Sequence, residues 1–193
     1  MNGSALRRAL AAALFAAFVG FAAASPAQER AAPPAPPLTN QHAPLPGVFT
    51  GGAPADLEGF PAVAALGIRT YVELRGDAEI PAGTREAVEA AGMKYVRLTV
   101  TGEAELDLAS ARALDALLDD PANLPAAIAC SSGNRSGALL AVEGFWLDGR
   151  PAQEALTLGL DAGLTRLEPS VRLLLGLPPL PPAPPAAPAT PPN

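Results

Sequence analysis

With 193 residues and 23 prolines, the chain has less sequence able to fold than its length suggests. Its formal net charge of −6 argues against nucleic acid or an anionic membrane surface as a partner, because both need a basic face. Its single cysteine excludes any intramolecular disulfide.

At the N-terminus, Arg7 and Arg8 precede an uncharged apolar run from Ala9 to Ala24, and Ser25-Pro26-Ala27 follows. A basic start, a short apolar stretch and a small-residue exit make a secretory signal peptide over residues 1–27. Cleavage is expected after Ala27, with Ala24 as the alternative. The run is shorter than the roughly 20 residues of a membrane-spanning helix, and its alanines would make a poor anchor. Removing it takes away two arginines and no acid, so the net charge goes from −6 to −8. The expected location is periplasmic or secreted. In an oxidising compartment a lone thiol is a liability unless it is buried or used, which singles out Cys130.

Residues 28–46 read as a proline-rich linker that contains His42, the only histidine, and residues 177–193 as a proline-rich disordered tail. A ligand for a proline-recognising groove is the weaker alternative. Residues 47–176 remain for one domain. Val48-Phe49-Thr50 is a strand candidate that ends at Gly51-Gly52. Ile68 to Leu74 is a β-branched, aromatic strand followed by the charged turn Arg75, Asp77, Glu79. Thr84 to Ala91 suits a helix and Lys94 to Val100 another strand. From Leu108, the positions Ala111, Leu114, Leu117 and Leu118 recur at helical spacing. Ala126 to Ala129 reads as a buried central strand leading into Cys130. Beyond it, Leu139, Val142 and Trp146 share one helical face, with Trp146 read as core. Two further helices are expected near 151–162 and 168–175. Alternating strands and helices predict an α/β three-layer sandwich with a mostly parallel central sheet.

The segment Cys130-Ser131-Ser132-Gly133-Asn134-Arg135-Ser136-Gly137 lies between a buried strand and a helix. Backbone amides at such a helix start bind an anion and lower a thiol's pKa, which makes the nucleophilic thiolate available. Ser131, Ser132, Gly133 and Asn134 form the expected anion-binding loop. Arg135 offers a planar fork to two oxygens of a tetrahedral anion, and Ser136 a hydroxyl for the sulfur. The plainer alternative is a small, inert, buried thiol.

C-x-x-G-x-R-S-G resembles the signature loop of cysteine-dependent protein tyrosine and dual-specificity phosphatases. The closer resemblance is to the bacterial phosphatase-like domain of beta-lactamase-hydrolase-like proteins. Phe49-Thr50-Gly51-Gly52-Ala53-Pro54, the strand Gly67 to Arg75, and Ala162-Gly163-Leu164-Thr165 with Pro169 and Arg172 extend it. The resemblance implies a cysteine-phosphatase-like fold. It also implies attack of Cys130 on phosphorus to form a thiophosphate, with Arg135 holding the equatorial oxygens and Ser136 assisting hydrolysis. Two features depart from it. Four residues separate Cys130 from Arg135 where phosphatases usually have five, and Ala129 stands where they usually have histidine. Four is the length found in rhodaneses, which carry sulfur as a cysteine persulfide.

Three readings follow: a phosphate monoester hydrolase, a sulfurtransferase or persulfide carrier, and a non-catalytic module that binds an anion or a protein. A carboxylate within reach of the ligand would favour the first, and a tight loop without one the second. Asp107 is the candidate general acid by residue type, with Glu103 and Glu105 behind it. It is equally well placed as a helix N-cap before Leu108. Arg75, Asp77 and Glu79 read as a charged turn, or else as a pocket rim. Thr50 reads as turn-making, or as part of the pocket floor. With one histidine and one cysteine, no metal site and no cofactor is expected. The expected partner is a small anionic or phosphorylated substrate, with no nucleic acid and no membrane after signal cleavage.

Overall fold

The computed structural model describes residues 36–181. The expected signal peptide, residues 28–35 of the expected linker and residues 182–193 of the expected tail lie outside the described residues.

Among the described residues, five strands form one sheet: β1 (Thr39–Leu45), β2 (Val48–Gly52), β3 (Thr70–Glu73), β4 (Lys94–Arg97) and β5 (Ala126–Cys130). Their order is β1-β2-β5-β3-β4. β2, β5, β3 and β4 run parallel, and β1 pairs antiparallel with β2. All five residues of β5 are buried, which is why its sequence is apolar throughout rather than alternating. Six α-helices among the described residues flank the sheet: α1 (Phe60–Ala64), α2 (Thr84–Ala90), α3 (Leu108–Leu118), α4 (Asn134–Trp146), α5 (Ala152–Asp161) and α6 (Glu168–Leu174).

The pleat divides the core in two. Val72, Ile128 and Cys130 face one cluster with Leu114, Leu139, Leu140 and Leu156 of α3, α4 and α5. Tyr71, Ala127 and Ala129 face the other, with Phe60, Val63 and Val88 of α1 and α2. Helices therefore cover both faces, and the three-layer, mostly parallel arrangement is the one expected. α4 is buried from Asn134 to Gly144, so its apolar residues extend around the helix rather than forming one stripe. Trp146, at its end, packs half-buried against the edge of the core.

Two features differ from expectation. Thr39–Leu45 is an edge strand, not linker, and it carries His42 opposite Thr50 of β2. An irregular edge strand tolerates Pro44, which could not donate within a central ladder, so proline content disguised it. Thr50 is neither a turn residue nor pocket floor. Its buried hydroxyl donates to the Ala162 carbonyl at 2.9 Å and ties β2 to the end of α5.

Candidate active site

β5 ends at Cys130, on the edge of the sheet where the parallel strands end, and the chain turns through Ser131-Ser132-Gly133 into α4. Gly133 takes φ +91°, a left-handed conformation that a side chain would strain. Gly52 lies so close that an added Cβ would meet the Ser131 carbonyl oxygen at 2.6 Å. The glycine pair ending β2 therefore gives the loop its room.

The thiol of Cys130 is buried, and the Gly133 amide donates to its Sγ at 3.1 Å. Burial pushes the thiol pKa up, while the amides of Ser132, Ser136, Arg135 and Gly133 pull it down. The amides prevail, and the thiol ionises below its ordinary value.

Arg135 is the centre of the site. Its Nη1 and Nη2 donate to Oε2 and Oε1 of Glu79 at 2.8 and 2.6 Å, a bidentate pair. Nη1 also donates to the Val100 carbonyl and Nη2 to the Ser131 hydroxyl. The Ser131 hydroxyl in turn donates to Glu79 at 2.9 Å. The pair raises the pKa of Arg135, and the charge of Cys130 raises it further. Glu79 is held down to about 2, chiefly by Arg135, with the Gly76 amide and Ser131 adding to the effect against partial burial.

The cavity beside this loop, about 390 Å³, is lined by Glu79, Thr101, Gly102, Ser131, Ser132, Asn134, Arg135, Arg166 and Leu167. Arg166 and Arg135 against Glu79 leave one net positive charge on its wall, which suits an anion.

The structure redistributes several expected roles. Ser136 is buried and its hydroxyl donates to the Ile128 carbonyl at 3.0 Å, so it serves the sulfur through its amide. Asn134 lines the cavity, but its Oδ1 accepts from the Thr165 amide and hydroxyl and the Leu167 amide. Those bonds hold residues 165–167, and so place Arg166 on the wall. Asp107 is the N-cap of α3: its Oδ1 accepts from the Ser110 amide at 2.8 Å, and it does not line the cavity. Glu105 caps the amides of Thr101 and Gly102, and Glu103 does not line the cavity either.

The charged turn after β3 divides by residue. Arg75 pairs with the buried Glu73 at 2.8 Å, and Asp77 pairs with Arg97 at 2.9 Å. Glu79 alone reaches the site. Its place on the cavity wall is the pocket-rim alternative for this turn, whereas its bidentate hold on Arg135, and Arg166 altogether, were missed in the sequence. The available signal was position, since both follow elements that end on the same edge of the sheet as Cys130.

Comparison with solved structures finds the same fold. Tk-PTP in its active form superposes with a TM-score of 0.57 at 19% identity, over 71% of this chain and 94% of that one. The catalytic core of the PP-IP phosphatase SIW14 from S. cerevisiae, in complex with citrate, gives 0.52 at 18%, over 72% and 85%. TpbA from P. aeruginosa, in complex with pTyr, gives 0.51 at 19%, over 72% and 84%. At these identities the likeness is one of fold. Comparison with curated protein sequences finds no match. The family described as "Beta-lactamase hydrolase-like protein, phosphatase-like domain" matches residues 47–145, just over half of the chain and all of the Cys130 loop. The chain therefore belongs to the phosphatase-like domain family of beta-lactamase hydrolase-like proteins, and with it to the cysteine-dependent phosphatase-like hydrolases.

Proposed function

We propose that this domain hydrolyses phosphate monoesters through a Cys130 thiophosphate, favouring esters whose leaving group departs as a stable anion. The observation that carries this is the buried Cys130 sulfur, ringed by loop amides and facing Arg135 beside a cationic cavity. The thiolate attacks phosphorus, the bond to the ester oxygen breaks, and loop amides and Arg135 take the charge on the remaining oxygens. Water then attacks the same phosphorus, freeing the thiolate and phosphate. Leaving-group protonation is the step with least support. The one carboxylate lining the cavity, Glu79, is ionised far below neutral pH and engaged with Arg135. Without an acid, aryl esters such as phosphotyrosine react faster than alkyl esters. The pTyr bound to TpbA and the PP-IP in SIW14's description as a PP-IP phosphatase are phosphorylated molecules and agree with this class. The signal-peptide pattern of residues 1–27 supports a reaction carried out outside the cytoplasm.

A second reading, transfer of sulfane sulfur through a Cys130 persulfide, is favoured by the same lack of an available acid and by the four-residue spacing. One experiment separates the two. The mature domain and its Cys130→Ser variant are incubated with an aryl phosphate or with thiosulfate, then weighed intact while phosphate and sulfite are assayed. Cys130-dependent phosphate release without sulfur loading is the expected result. A gain of one sulfur atom with sulfite release would overturn it in favour of sulfur transfer. No reaction with either would leave an anion- or protein-binding module.

A further inference from the structure

α4 has a second end, opposite the one that the Cys130 loop enters, where acidic groups converge without matching cations. Glu143 lies on α4, Asp115 on α3 and Asp148 in the turn towards α5. One carboxylate oxygen from each lies within 4.8 Å of the other two. Glu143 is only 4% exposed, and among the described residues it takes no hydrogen-bond donor and no ion-pair partner. A carboxylate so little exposed and without a donor is costly, and proteins seldom keep one without a compensating proton, water, cation or metal at its oxygens. Arg150 compensates only in part, because its Nε is committed to Asp148 Oδ2 at 3.1 Å. When all three carboxylates are ionised, one guanidinium leaves two negative charges, and Asp119, one turn along α3 from Asp115, adds to the field on Glu143.

We propose that Asp115, Glu143 and Asp148 bind a divalent cation, Ca²⁺ by preference, which fastens α3 and the α4–α5 turn to α4. Oxygens within 4.8 Å of one another leave a central point no more than about 2.8 Å from each (4.8 Å divided by √3), close to the roughly 2.3–2.6 Å of calcium–oxygen bonds. The donors are all oxygen, which selects hard cations over zinc or copper. They come from three separate segments, a tolerant arrangement that suits calcium better than the strict octahedron of magnesium. Asp148 is exposed, so water can complete the shell.

Trp146, the only tryptophan, lies three residues beyond Glu143 and supplies the readout. Terbium, a calcium substitute that emits when a nearby indole is excited, is titrated into the mature chain at a pH where Glu143 is ionised. Burial and the surrounding acids raise that carboxyl to about 7. The expected result is saturable emission at one equivalent, displaced by Ca²⁺ more readily than by Mg²⁺. Ca²⁺ should also raise the melting temperature. Asp148→Asn and Asp115→Asn should each weaken binding about tenfold or more while leaving Cys130 chemistry unchanged. Glu143→Gln should abolish binding, and because it alters a buried group, the two aspartate variants keep the test valid if it misfolds. Absent emission, or emission equal in the variants, would overturn the proposal. So would a melting temperature that responds to acid alone, which would mean that Glu143 holds a proton instead.

Discussion

At the residue scale, the site depends on how two charges are held. Loop amides lower the pKa of Cys130 against the effect of burial, so its alkylation by iodoacetamide should show a pH midpoint below that of a free cysteine. A midpoint at or above the free value would mean that burial dominates and the thiol is inert. Glu79 holds Arg135 by two short bonds. Glu79→Gln leaves one acceptor oxygen and no charge, so kcat/KM should fall about 10–100-fold, roughly 1.4–2.7 kcal/mol of transition-state stabilisation, with the fold retained. Unchanged kinetics would show that Arg135 needs no such partner. The folded pKa of Glu79, about 2, lies below its ordinary 4.5. The pair's contribution is therefore complete above pH 4.5 and lost as pH falls towards 2. With 38% of the Glu79 side chain exposed, that contribution is reduced by solvent screening, and the pair matters more for orientation than for stability.

At the element scale, helix ends and helix contacts decide which side chains are free to act. Asp107 is occupied as the N-cap of α3. Asp107→Ala should lower stability by about 1 kcal/mol in thermal or urea unfolding and leave phosphate release within about twofold. A loss near a hundredfold with an intact fold would instead restore Asp107 as the general acid. α4 and α5 meet at Gly137 and Gly159. A Cβ on Gly137 would collide with the Leu164 amide nitrogen and the Gly159 carbonyl, both of them backbone. Because neither can rotate away, Gly137→Ala should destabilise by about 1–3 kcal/mol in chemical denaturation. The substitution would also push apart the helix that follows the Cys130 loop and the turn that carries Arg166. A neutral effect would mean that the two helices slide apart freely.

At the scale of the whole molecule, the unit that folds begins before the family match at residue 47. Leu38 is 1% exposed in the second core cluster, and β1 covers the free edge of β2. A chain beginning at Gly47 exposes that edge and loses the Leu38 contact. It should therefore melt at a lower temperature and aggregate more readily than one beginning at Pro36, as followed by calorimetry and light scattering. Equal melting temperatures would show that β1 is dispensable.

What could be read from the sequence was whatever is encoded locally. The apolar run Ala126–Ala129, the helical spacing of Ala111, Leu114 and Leu117, and the strand-loop-helix grammar around Cys130 each lie within a short window. Together they were enough for the layers and for the place of Cys130 at the strand end. β1 was hidden because an edge strand is half solvated and admits proline, so its pattern resembles a linker. The remaining features depend on partners far apart in the chain. Glu79 and Arg135 are 56 positions apart, and they meet because β5 lies beside β3, which brings the turn after β3 onto the loop after β5. Asn134 reaches 31 positions on to Thr165 and sets Arg166 on the cavity wall. Asp107, by contrast, takes a donor three residues away and remains at its helix end. By itself the sequence determined the elements other than β1 and the strand-loop-helix turn that holds the thiol, because short-range periodicity and backbone chemistry specify them. Only the tertiary structure decided which carboxylate meets the arginine, because strand order, and not spacing along the chain, brings those charges together.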